Sequence, residues 1–377
     1  MPPCTGRRAV PAGESASRAT FSPKGERAAI RKGETMVEKF WLGMAIILIA
    51  GLFNGSFALP MKYARRWKWE NTWLVFSIVG IFVLPWFMAL RFVPHLAEVY
   101  QSVPTRVLVL ATTFGFLWGI AQATYGLSLQ AVGLAVAVAI VSGLTCLWGA
   151  LVPLLVLNAA DLLRARGIFL LCSMPILLLG LVIYVAASRR REKEQRPGNP
   201  AGASQGASLK VGLALCIFTG VIGSCFNLGF AFSGDIIRKS IESGASPATA
   251  GYGVWSLVLA AGFFPNLFYC LYRLFRNRTF TAFLQEGSLK EALLAVLMAI
   301  MWLSGLLLYG GGATLAGKYG TSVGFTLFVA ISVLSSTVVG VLAGEWKSTS
   351  RRTRRLLALG VAALVLSVVV LNLGGLF

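Results

Sequence analysis

Ten apolar runs, each long enough to cross a bilayer, alternate with short polar breaks from Phe40 onward. The runs fall at residues 40–59, 71–92, 107–128, 131–156, 167–187, 211–233, 249–272, 291–312, 320–343 and 356–376. One helical crossing of the hydrocarbon layer takes about 20 apolar residues. Inside that layer no water is present to satisfy the backbone, so each run must satisfy its own polar groups, and a helix does this. Charged residues make up only 13% of the chain and apolar residues 56%, against roughly 25% charged residues in soluble domains. The expected fold is an all-α integral membrane protein with ten transmembrane helices.

The formal charge of +20 does not point to nucleic acid. The Lys and Arg residues form short clusters between apolar runs, where they meet anionic headgroups, so membrane lipid is the expected partner. Cys146, Cys172, Cys216, Cys225 and Cys270 lie inside apolar runs and Cys4 in the tail. None forms a C-x-x-C pair, so they read as small packing residues, and neither metal nor cofactor is expected. Residues 1–39 are polar, rich in Ala, Arg, Gly, Ser and Pro, and lack an apolar core, so disorder is expected there rather than a signal peptide. Met36 is a candidate start.

The one long polar break, residues 189–210, divides the runs five and five. The expected organisation is a first repeat over 40–188, a cytoplasmic linker over 189–210 and a second repeat over 211–377. Trp118 precedes Tyr125-Gly126 by seven residues in the third run, and Trp302 precedes Tyr309-Gly310 by the same interval in the eighth. Gly51 and Gly55-Ser56 in the first run are echoed more weakly by Gly220 and Gly223-Ser224 in the sixth. An odd number of spans per copy turns the second copy upside down, giving two inverted five-helix repeats with a solute site near the midplane. Nineteen basic residues lie on the side of the linker and eight on the other, outside the first 35 residues. The linker side is therefore expected to be cytoplasmic and both termini periplasmic.

Trp118, Gln122 and Tyr125 share one helical face. An aromatic plane beside an amide and a phenol suits a sugar, which offers C–H faces for stacking and hydroxyls for hydrogen bonding. Helix packing is the competing account of the same stripe. Trp302 and Tyr309 repeat the pattern, and Asn54, Asn227 and Asn266 are amides within spans that need partners. These eight residues are the candidate binding set. The acids sit at span ends or in breaks, with Glu70 and Glu345 the nearest candidates for proton coupling and pairing with neighbouring Lys and Arg the simpler role. His95, the one histidine, reads as interfacial. The sequence contains no P-loop, H-E-x-x-H or G-x-S-x-G pattern. An intramembrane enzyme would need a carboxylate pair, metal cluster or activated nucleophile in the spans, and a receptor would be expected to carry a signalling domain; neither feature is evident.

The segment Asn54-Gly-Ser-Phe-Ala-Leu-Pro-Met-Lys-Tyr-Ala-Arg-Arg-Trp67-Lys-Trp69-Glu70-Asn-Thr-Trp73 resembles the first-loop signature of the L-rhamnose–proton symporter family. Leu84-Pro85-Trp86, Phe116-Leu-Trp118-Gly119 with Tyr125-Gly126-Leu127, and Gly344-Glu345-Trp346 carry the resemblance over about residues 40–377. It implies the fold of the drug/metabolite transporter superfamily and secondary active uptake of L-rhamnose or a related sugar with protons, by alternating access, in a bacterial inner membrane. A homodimer is left open. The same superfamily also contains exporters of metabolites and drugs, the alternative reading. The resemblance breaks at Lys318-Tyr319-Gly320-Thr321-Ser322-Val323-Gly324, which lacks the carboxylate that the family's rhamnose transporters carry there.

Overall fold

The computed structural model describes residues 23–132, 134–195, 209–342, 344 and 346–373, and among them every regular element is a helix. The chain divides into two units at Lys39. In the first unit, helical backbone begins at Pro23, inside the segment expected to be disordered. Residues 25–32 read Gly-Glu-Arg-Ala-Ala-Ile-Arg-Lys, mostly strong helix formers, which explains the earlier start. Residues 1–22 and 196–208, the outer tail and most of the linker, lie outside the described residues, as does Glu345.

Ten helices are long and apolar enough to cross a membrane: α1 Glu38–Met61, α2 Trp69–Phe92, α3 Thr105–Ser128, α4 Ile140–Leu157, α5 Gly167–Gln195, α6 Lys210–Glu242, α7 Tyr252–Asn277, α8 Ser288–Leu315, α9 Val323–Leu342 and α10 Arg351–Leu371. Each overlaps one of the ten runs read from the sequence. α1 leaves helix at Phe57–Ala58 before a 3-10 turn from Leu59, and two others are interrupted for local reasons. In α2 the residues Ser77–Val83 widen to a π-helix just before Pro85, which has no N–H to continue the ladder. In α6 the helix stops at Gly223 and restarts at Cys225, with the Ser224 hydroxyl donating to the Val221 carbonyl.

Lipid gives helices no hydrophobic reason to associate, so close backbone approach must do so. A Cβ on Gly119 of α3 would stand 2.3 Å from the Gly262 carbonyl oxygen of α7, and one on Gly55 of α1 would stand 2.2 Å from that of Ser332 in α9. Only glycine fits at these crossings. The sequence echo of paired glycines has a physical counterpart: Gly51 and Gly55 press on Ile331 and Ser332 of α9, Gly220 and Gly223 on Leu144 and Thr145 of α4.

The neighbour relations have a pattern. α3 packs on α7 and α6, while α8 packs on α2 and, through Gly305 and Gly312, on α1. α4 packs on α6 and α5, while α9 packs on α1 and α10. α5 lies on α10, α4 on α9, and α2 on α7. Exchanging each helix with the one five places away reproduces this set. Trp255, Tyr309, Phe76, Phe230 and Phe325 are the largest fully buried side chains, so the interior is largely aromatic.

Candidate functional site

A cavity of about 300 Å³ lies within the bundle, bordered by five helices. Its walls are Asn54 from α1; Trp118, Ala121, Gln122 and Tyr125 from α3; Val141, Ser142 and Thr145 from α4; Thr219 and Gly223 from α6; and Val329 from α9. The stripe read on α3 thus turns one face into this space. Trp118 is backed by Trp302 of α8, with ring centroids 6.1 Å apart and planes 10° from parallel, and by Phe226 at 5.0 Å.

The polar groups divide into those already bonded and those left over. Thr145 donates to the Gly220 carbonyl, 3.1 Å, and Thr219 to Thr124 Oγ1, 2.8 Å, so both hydroxyls join helices. Asn54 donates its amide to Ser332 Oγ, 3.0 Å. Gln122, Tyr125 and Ser142 line the same cavity and make no hydrogen bond to another described residue. Ser142, Thr145 and Thr219 were not singled out in the sequence. Small hydroxyl residues in a span look like packing residues, and only the fold brings them beside Gln122.

Three expected site residues are held elsewhere. Asn227 gives both amide hydrogens away, to the carbonyls of Gly149, 2.6 Å, and Thr321, 2.7 Å, and its Oδ1 accepts from the Tyr309 hydroxyl. Tyr309 is fully buried among Phe230, Trp255, Phe325 and Phe328. This network ties α4, α6, α8 and the start of α9 on the side of the α8–α9 loop. Asn266 accepts from the Trp73 indole, 3.3 Å, and its buried Nδ2 has no partner among the described residues. Burial favours partners for each amide, and the bonds that Asn227 and Asn266 make run to neighbouring helices rather than into the cavity.

The signature loop also departs from expectation. Trp67 is buried; its indole donates to the Ala282 carbonyl, 3.1 Å, and its ring meets Phe283 edge-on at 5.0 Å. Glu70 is 2% exposed and accepts from Asn277, 2.7 Å, and Thr279, 3.2 Å, rather than from Lys or Arg of its own loop. Asn71 adds a bond to the Thr279 carbonyl, 2.9 Å. Glu291, at the start of α8, is also buried and accepts the backbone N–H groups of Arg65, 3.2 Å, and Arg66, 3.4 Å; its other oxygen is unpartnered among the described residues. The first turns of α2 and α8 therefore each lend a carboxylate across, and the α1–α2 and α7–α8 connections are latched together. Sequence spacing could not reveal this, because partners more than 200 positions apart are found only in the fold.

His95 is exposed, in left-handed backbone, and 3.3 Å from Glu98. Among the described residues no group of His, Cys, Asp and Glu could hold a metal ion.

Ten long apolar helices around an internal polar and aromatic cavity define a polytopic membrane protein with a solute-sized site. The profile of the L-rhamnose-proton symport protein (RhaT) family matches residues 36–376, and the chain belongs to that family. It is similar to the L-rhamnose-proton symporter of Cronobacter sakazakii, 26% identical over 345 residues covering 88% of this chain and 97% of that protein. The L-rhamnose-proton symporters of Mannheimia succiniciproducens, 26% identical over 342 residues, and Escherichia coli O1:K1, 25% over 345, have the same coverage.

Proposed function

We propose that this chain is a secondary active carrier that takes up a monosaccharide, L-rhamnose or a related sugar, with protons across a bacterial inner membrane. The observation that carries the reading is the cavity in which Trp118 offers a ring face and Gln122, Tyr125 and Ser142 offer unspent polar groups. These three side chains are partly buried and open to the cavity, so their polar groups are available to sugar hydroxyls. The volume sits at the small end of the roughly 300–1,000 Å³ typical of ligand pockets, which suits a monosaccharide. The names borne by the relatives supply the substrate and the coupling ion. Uptake of labelled L-rhamnose by cells expressing the chain, with a panel of competing sugars and a protonophore, tests it. Failure of every monosaccharide to enter would contradict the reading.

The neighbour pairs described above support two inverted five-helix repeats, because exchange of each helix with its counterpart maps these pairs onto one another. By the basic-residue tally, the α1–α2, α3–α4 and α5–α6 loops face the cytoplasm. Asn54, Tyr125, Ser142 and Thr219 lie toward those ends, while the Asn227–Tyr309 network lies toward the opposite side. We therefore read the conformation as inward-facing, with that network as the periplasmic closure.

For proton coupling we look outside the cavity, since no carboxylate or histidine lines it among the described residues. Glu70 and Glu291 are the buried carboxylates among those residues, and each fastens one loop to the other. Protonation removes the charge that strengthens these bonds and so loosens the latch. A line of rings, Trp69–Trp73–Phe76–Trp302–Trp118, with successive centroids 5.2, 4.8, 5.7 and 6.1 Å apart, connects latch and cavity.

A further inference from the structure

Val182, Val185, Ala186, Arg189 and Lys193 follow one another along one face of α5 at helical spacing. With Ile140 of α4 they border an open groove of about 720 Å³, separate from the solute cavity. The wall is apolar as far as Ala186 and cationic from Arg189, a change completed within one helical turn. That is the change a bilayer makes between acyl chains and phosphates.

The groove's charges are unevenly spent. Glu194, which lines its mouth, accepts from the Ser350 N–H, 2.8 Å, the Ser350 hydroxyl, 2.6 Å, and the Thr353 hydroxyl, 2.7 Å, at the N-terminus of α10. Arg190 reaches the same carboxylate at 3.4 Å. Glu194 forms no ion pair with Arg189 or Lys193, whose charges line the mouth. Two like charges four residues apart on a helix repel one another, so an anion between them relieves the strain.

We infer that this groove holds the headgroup of an anionic phospholipid, its phosphate between Arg189 and Lys193 and its acyl chain along Val182 and Ile140. Both halves of the site are needed by such a molecule. A free phosphate would leave the apolar wall unused, and a zwitterionic lipid would carry its own cation into a cationic mouth.

The test uses the full chain, purified in detergent and titrated with phosphatidylglycerol, phosphatidylcholine or inorganic phosphate, with bound lipid read by native mass spectrometry. Wild type should bind phosphatidylglycerol well above phosphatidylcholine. Losing both cations, in Arg189→Gln with Lys193→Gln, should weaken phosphatidylglycerol about thirty-fold, because each basic residue at an anionic surface contributes about 1 kcal/mol. The charge-matched control Arg276→Gln with Arg278→Gln should bind as wild type. If the double variant proves poorly folded, Val182→Glu, which keeps both cations, must give the same loss. Equal binding of the two lipids, unchanged binding in the groove variants, or displacement of the lipid by inorganic phosphate at equal concentration would each overturn the proposal.

Discussion

Trp118 of α3 and Trp302 of α8 lie face to face, their centroids 6.1 Å apart and their planes within 10° of parallel. They occupy equivalent places in the two halves of the sequence, yet the tyrosines that follow each by seven residues have different fates. Tyr125 lines the cavity, while Tyr309 is sealed in the aromatic cluster and bonded to Asn227. One motif thus contributes an open wall on one side of the stacked tryptophans and a closed one on the other.

If the cavity binds a sugar, its unspent polar groups should show it in affinity. Gln122→Leu removes an amide that makes no hydrogen bond to another described residue, so the fold should tolerate it and the sugar should not. A lost hydrogen bond to a buried hydroxyl costs about 1–3 kcal/mol, a five- to 150-fold rise in the half-saturating concentration. Trp118→Leu should raise it too, by removing the stacking face. Uptake kinetics at matched membrane abundance measure both; unchanged values in the two variants would leave the α3 stripe a packing feature.

The Asn227–Tyr309 network should govern access from the periplasm. Tyr309→Phe keeps the ring but strips Asn227 Oδ1 of its donor, at about 1–3 kcal/mol. A cysteine placed at Ser142 should react faster with a membrane-impermeant thiol reagent added from outside in Tyr309→Phe than in the parent. No gain in labelling would mean the network does not close that path.

Glu70→Gln and Glu291→Gln should separate coupling from binding. Each neutral side chain keeps its shape but loses the charge that fastens the two loops. Exchange of labelled for unlabelled sugar should persist while accumulation driven by a proton gradient falls. Accumulation equal to wild type in both variants would remove the latch from the coupling account.

Orientation is open to a direct check. A reporter that fluoresces only in the cytoplasm, fused after Phe377, should stay dark. Bright cells would invert the assignment of sides and, with it, the inward-facing reading.

The sequence carried the ten helices plainly, because a span in lipid needs a long apolar run and little else. It also carried the α3 stripe, since Trp118, Gln122 and Tyr125 are related by helical spacing alone. What it could not carry was which of these amides borders the cavity. Asn54 and Asn227 look alike in an apolar run, but Asn227 meets the carbonyls of Gly149 and Thr321 and is consumed by them. The segment Trp67 to Glu70 suggested only a local pairing of Glu70 with Lys and Arg. Its partners, Ala282, Asn277 and Thr279, come from the other half of the chain. Close glycine crossings were half visible: the repeat of Gly51/Gly55 and Gly220/Gly223 marked them, though not that they meet α9 and α4.

The central claim is that this chain moves a sugar with protons. The most direct measurement is uptake of labelled L-rhamnose into proteoliposomes containing the purified chain, with an inward proton gradient imposed across an otherwise sealed membrane. The account predicts transient accumulation above the outside concentration, abolished by a protonophore and by omission of the protein. Absence of uptake for L-rhamnose and related monosaccharides, or accumulation indifferent to the proton gradient, would contradict it.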